Sequence, residues 1–146
     1  MGKTFLADIP GNLFQNVFTA ASVASDGANA VVASAAFYAP NDIKLTRAWF
    51  VPWANQATVG TATTSATYKR LTICNGGTSG TGTTLMASCN LTASVASRGS
   101  KAFSTTASNT MSSGEMLYFS QLTVGGTDDD GTILQSGVLQ IEYQLL

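Results

Sequence analysis

A single-domain antiparallel β-sandwich, jelly-roll-like and of about eight strands, is the fold predicted by three observations. Short runs of alternating apolar and polar residues recur between Gly, Asn, Asp and Ser clusters. Apolar residues spaced at i, i+3, i+4 and i+7 with matching caps are scarce, and no strand–helix–strand rhythm appears. A length of 146 residues suits one core, because a chain of that size buries roughly 70% of its unfolded surface. A jelly roll is the commonest solution for this many strands at this spacing.

Residues 1–28 stand apart. Phe5, Leu6, Ile9, Leu13, Phe14, Val17 and Phe18 follow no consistent period, so this segment reads either as an arm that docks on a neighbour or as edge strands closing the domain's own core. Residues 29–146 form the sandwich. Asn29 to Tyr38 is a long strand, its alanines also permitting a short helix, and Pro40-Asn41-Asp42 then turns the chain. From Ile43 the sequence alternates, with Ile43, Leu45, Arg47, Trp49 and Val51 on one side and Lys44, Thr46, Ala48 and Phe50 on the other, as far as Pro52.

Thr63 to Cys74 is rich in β-branched residues and places Tyr68, Arg70, Thr72 and Cys74 opposite Lys69, Leu71 and Ile73. Asn75-Gly76-Gly77 then begins a turn, and Thr83 to Asn90 returns as the second strand of a hairpin. A weaker strand is expected over Ala102 to Thr106. Ser113-Gly114 leads into a strand from Glu115 to Val124. Gly125-Gly126 and the acidic loop Thr127 to Gly131 precede the clearest strand of all, Val138 to Leu145, where Leu139, Ile141, Tyr143 and Leu145 alternate with Val138, Gln140, Glu142 and Gln144.

Composition narrows the function. Charged residues make up only 10% of the chain, against about 25% in an average domain, and seven basic side chains balance eight acidic ones. The surface must be mostly hydroxyls, amides and small apolar groups, which suits an assembled protein. No basic stripe offers a footprint for nucleic acid, and no apolar run approaches the ~18 residues of a spanning helix.

Histidine is absent, which removes the commonest general base and the commonest metal ligand. Glu115 and Glu142 are the only glutamates, each on an expected strand where a structural acid is the ordinary explanation. Asp128, Asp129 and Asp130 are consecutive and lack the alternating spacing of a calcium loop. Gly76, Gly77, Gly80 and Gly82 are followed by no Gly-Lys-Ser/Thr and read as hairpin chemistry. Asn90-Leu91-Thr92 fits a glycosylation acceptor, a frequent chance pattern in a Thr-rich chain. Cys74 and Cys89 belong to no CxxC pair and read as reduced thiols, with a disulfide open to them if their strands bring them together. No catalytic residue, cofactor or metal site is expected. Trp49 and Trp53 flank Pro52, and core packing is the ordinary role of Trp49. Trp53, past the proline, is the better candidate for an exposed contact.

Three segments resemble head decoration, or auxiliary capsid, proteins of tailed bacteriophages: Leu45 to Pro52, Tyr68 to Gly77, and Gly125 through Gln144. The likeness spans roughly residues 40 to 146 and rests on Gly-rich hairpins and alternating strands. It implies a β-sandwich made in the host cytoplasm and carried on the outer surface of the virion, often as trimers clamping neighbouring major capsid proteins. A homo-oligomer is therefore expected, with Phe5, Leu13, Phe14, Phe18 and Trp53 as its contact residues. Some relatives carry fibres or sugar-binding surfaces, so the principal rival is a carbohydrate- or receptor-binding module using Trp53, Tyr118 or the acidic loop. A shell protein is a third reading, disfavoured because a basic interior arm is missing.

Overall fold

In the computed structural model the residues described are 13–20, 32–54, 68–91, 95–124 and 137–146. Every regular element among them is a strand: β1 (Leu13–Ala20), β2 (Val32–Tyr38), β3 (Ile43–Pro52), β4 (Tyr68–Asn75), β5 (Thr84–Leu91), β6 (Lys101–Ala102), β7 (Ser104–Thr105), β8 (Thr110–Met111), β9 (Met116–Val124) and β10 (Gly137–Leu145). They form two antiparallel sheets. One runs β1-β10-β3-β6, with β8 also paired to β3, and the other runs β2-β9-β4-β5-β7. The all-β sandwich expected from the sequence is the fold observed.

The core lies between the sheets. Ile43, Leu45, Ala48, Phe50, Leu139 and Ile141 come from the first, and Leu71, Ile73, Met86, Leu91, Leu117 and Phe119 from the second. Ring contacts tie it together: Phe50 stacks on Phe119 at a centroid distance of 5.6 Å, and Phe103 meets Phe119 edge-on at 6.3 Å. Burial of these side chains supplies most of the driving force, at roughly 25 cal/mol per Å² of apolar surface.

β10 alternates as expected, with Leu139, Ile141 and Tyr143 buried and Gln140, Glu142 and Gln144 turned outward. β3 does not keep one phase. Ile43 and Leu45 are buried, then Ala48, Phe50 and Pro52, so the inward face switches between positions 45 and 48. A β-bulge is the cause: Glu142 pairs with Arg47 but Tyr143 pairs with Leu45, leaving Thr46 as the extra residue. Its hydroxyl donates to the Glu142 carbonyl at 3.0 Å. The bulge puts Ala48 and Phe50 in the core and turns Trp49 and Val51 to the half-covered outer face, so core packing is not the role of Trp49.

The expected strand from Ala102 to Thr106 is two short strands in different sheets. β6 pairs with β3, β7 pairs with β5, and Phe103 between them is buried in the core. The Phe103 amide donates to the Ala48 carbonyl, and the Thr106 amide to the Met86 carbonyl. This segment therefore straps the β3 side of one sheet to the β5 side of the other.

β4 and β5 form the expected hairpin, with Leu71 opposite Cys89 and Cys74 opposite Leu85. A bulge leaves Met86 between these registers, and both Met86 and Ala87 are buried. The two cysteines are three or more positions apart in register. Both are free and buried, Cys89 within the core cluster and Cys74 outside it.

β1 lies at the end of its sheet, paired with β10 along its whole length. It falls within the segment whose apolar residues showed no clear period.

Candidate functional site

The sandwich has two distinct ends. Ile43 of β3 pairs with Leu145, and Pro52 pairs with Gly137, so the ten residues of β3 separate the ends by ~30 Å. At one end the chain turns tightly from β2 to β3, from β4 to β5 and from β8 to β9. Trp53 stands at the other.

Trp53 is 54% exposed, the largest side chain among the exposed apolar residues described. The backbone beneath it is held. The Ser97 hydroxyl donates to the Trp53 carbonyl at 2.7 Å, and the Arg98 amide donates to the Pro52 carbonyl at 2.8 Å. Arg98 itself has φ of 63°, a left-handed conformation that costs a non-glycine residue on the order of 1 kcal/mol and tends to persist where surrounding contacts impose it. Arg98 is exposed, so an indole and a guanidinium are presented on neighbouring backbone at one rim.

The other contact residues expected from the sequence are placed unevenly. Phe5 lies outside the described residues, as does the acidic loop. β1 carries Leu13 opposite Gln144, Phe14 opposite Tyr143 and Phe18 opposite Leu139. Tyr143 and Leu139 are core residues, which ties Phe14 and Phe18 by register to core positions of the neighbouring strand. Tyr118, the aromatic of the rival reading, is occupied: its hydroxyl donates to the Gly82 carbonyl at 3.0 Å and clasps the β4–β5 loop onto the sheet. Burial raises its pKa, and the hydrogen-bonded Cys74 opposite it on β4 raises it further.

The two glutamates lie in different parts of the fold. Glu142, on β10 and largely covered, faces the exposed Arg47 guanidinium at 4.0 Å, a long contact that solvent screens on the arginine side. Glu115 precedes β9 and lines an open depression of about 350 Å³ together with Asp42, Asn75, Thr110, Met111, Ser112 and Leu146. Two interlocked turns carry Asp42, Ser112 and Glu115. The Ala39 amide donates to the Glu115 carbonyl, and the Gly114 amide donates to the Ala39 carbonyl, each at 2.8 Å. Glu115 Oε2 accepts from the Ser112 amide and from the Asn75 side-chain amide, both at 2.7 Å. Asp42 Oδ1 accepts from the Ser113 amide at 2.8 Å. Consecutive amides, on Cα atoms about 3.8 Å apart, thus hold two carboxylates side by side.

This Asp42–Glu115 pairing was not anticipated from the sequence. The two residues are far apart in the chain, and each reads as an ordinary turn acid; only the meeting of the 39–42 and 112–115 turns unites them. Among the described residues, no three His, Cys, Asp or Glu side chains gather as for a metal ion.

Comparison with family models, with curated proteins and with solved structures returns no match.

Proposed function

We propose that this chain is a capsid decoration protein of a tailed bacteriophage, which works by contact rather than catalysis and binds major capsid protein on the outer lattice through the Trp53 rim. The observation that carries the reading is the exposed Trp53, its backbone carbonyl bonded by Ser97, beside the left-handed Arg98. Trp and Arg are the residue types most enriched where binding energy concentrates, and backbone already fixed beneath the indole loses little freedom on docking.

Strand order supports the jelly-roll form of the sandwich. β1 pairs with β10, β2 with β9, β3 with β8 and β6, and β4 with β5, a nested antiparallel ribbon. The β10–β3 and β9–β4 pairings then join the rolled ribbon into two sheets. Jelly rolls are common in viral capsid and lectin domains. A surface poor in charge fits a protein that spends its working life against neighbours, and many modest contacts repeated by symmetry add up through multivalency.

The test is binding of the purified chain to expanded capsids of its source phage. Wild-type protein is expected to co-sediment with them at saturating stoichiometry. Trp53→Ala, at an exposed position that leaves the core intact, is expected to reduce affinity by at least about tenfold, as for a truncated hot spot. Equal binding by both proteins would remove Trp53 from the interface, and failure of the wild type to bind would end the decoration reading.

A further inference from the structure

The depression at the opposite end has no part in the Trp53 contact, and its lining has a chemistry of its own. Asp42 and Glu115 each spend one carboxylate oxygen on backbone or amide donors, which fixes their orientation. No hydrogen bond among the described residues occupies Asp42 Oδ2 or Glu115 Oε1. Two oriented acceptors therefore stand beside the hydroxyls of Thr110 and Ser112, each able to donate or accept, and beside the apolar side chains of Met111 and Leu146. Tyr38 is 63% exposed and immediately precedes Ala39, whose amide and carbonyl are bonded to Glu115 and Gly114. Its ring lies outside the lining of the depression.

The geometry points to a binding site for a neutral glycan in this depression, with the free oxygens of Asp42 and Glu115 accepting from sugar hydroxyls and Thr110 and Ser112 bonding the remaining sugar oxygens. Carboxylates disfavour an anionic ligand. A hard cation bound by protein alone asks for six or more oxygens, more than two one-sided carboxylates supply. A sugar matches the mixture: it brings donors for the fixed acceptors, acceptors for the hydroxyls and apolar C–H faces for Met111 and Leu146. A volume of about 350 Å³ admits one or two sugar units. Carboxylates held by backbone amides before binding lose little freedom when it occurs. The site lies ~30 Å from Trp53, so capsid attachment and glycan capture are compatible on one chain, and either can fail without the other.

The test is a titration of the isotopically labelled full chain with glucose, galactose, mannose and N-acetylglucosamine, and with disaccharides of each, followed by amide chemical shifts. Saturable shifts are expected at Gly77, Thr110, Ser112 and Ser113, with a Kd in the ~mM range typical of shallow sites. Asp42→Asn and Thr110→Ala are each expected to weaken binding at least about fivefold while keeping the wild-type spectrum elsewhere. Shifts confined to Trp53, Ser97 and Arg98 would overturn the assignment, as would the absence of saturable shifts with every sugar. Calcium chloride moving the same amides while no sugar does would also overturn it, giving the pair to a cation instead.

Discussion

Asn109 is one of three buried polar side chains among the described residues, and it does the work of a missing strand. Its carbonyl accepts from the Leu45 amide and its side-chain amide donates to the Leu45 carbonyl, both at 2.8 Å. β3 is thereby satisfied along the stretch between β6 and β8. Asn109→Ala leaves a buried carbonyl unpaired, and a loss of ~1–3 kcal/mol is expected, read as a lower urea midpoint at unchanged slope. Gly137 answers to sterics instead. A Cβ there would lie 2.4 Å from the Val51 carbonyl oxygen and 2.9 Å from the Phe50 ring, so Gly137→Ala is expected to cost ~1–3 kcal/mol by the same measurement.

The buried Cys89 thiol titrates out of its usual range. Burial pushes it from 9.0 up to about 12, against a smaller opposing pull from Lys101. An unfolded chain releases this proton near pH 9, while the folded chain keeps it until about 12. The unfolded state therefore binds fewer protons over that window, and stability falls as pH rises through it. The contribution is fully present below pH 9. Urea midpoints measured from pH 8 to 11 are expected to decline above pH 9, less steeply in Cys89→Ala. Tyr118, also shifted upward, adds to the decline at the higher end.

Among the elements, the β4–β5 connection shows how a Gly-rich run becomes a defined loop. The Asn75 side chain accepts from the Gly77 amide, the Gly76 amide and carbonyl bond Met116 and Gly82, and Tyr118 holds Gly82 from the sheet. Gly80 adopts φ of +74°, and a Cβ there would fall 2.7 Å from Met116 Cε. Gly80→Ala is expected to destabilise by ~1 kcal/mol or more and to speed hydrogen exchange at Gly76 and Gly82 before the rest of the sheet.

Strands with strict alternation and clear turn residues were legible in the sequence, β10 and the β4–β5 hairpin above all. Alternation alone misassigned half of β3, because its bulge is set by the partner strand and leaves no local mark. β6, β7 and β8 were merged or missed: two-residue strands carry no periodicity, and their positions depend on which sheet edge Phe103 and Asn109 reach. The Asp42–Glu115 pair was invisible for the same reason, since two turns 70 residues apart announce nothing of their meeting.

At the scale of the whole molecule, the two ends differ in what they present: Trp53 with Arg98 at one, paired carboxylates with hydroxyls at the other. Low charge leaves little repulsion between neighbouring copies, and on the proposed decoration role, whose resemblance implies trimers, the purified chain is expected to form a symmetric trimer with a mass in light scattering about three times 15.1 kDa. A monodisperse monomer at high concentration would remove self-association from the account and leave capsid contact to act alone. The most direct measurement of the central claim is cryo-electron microscopy of the intact source particle. The account predicts copies of the two-sheet sandwich on the outer capsid lattice, with Trp53 buried against major capsid protein. A particle surface without this sandwich, or one where Trp53 faces solvent, would contradict it.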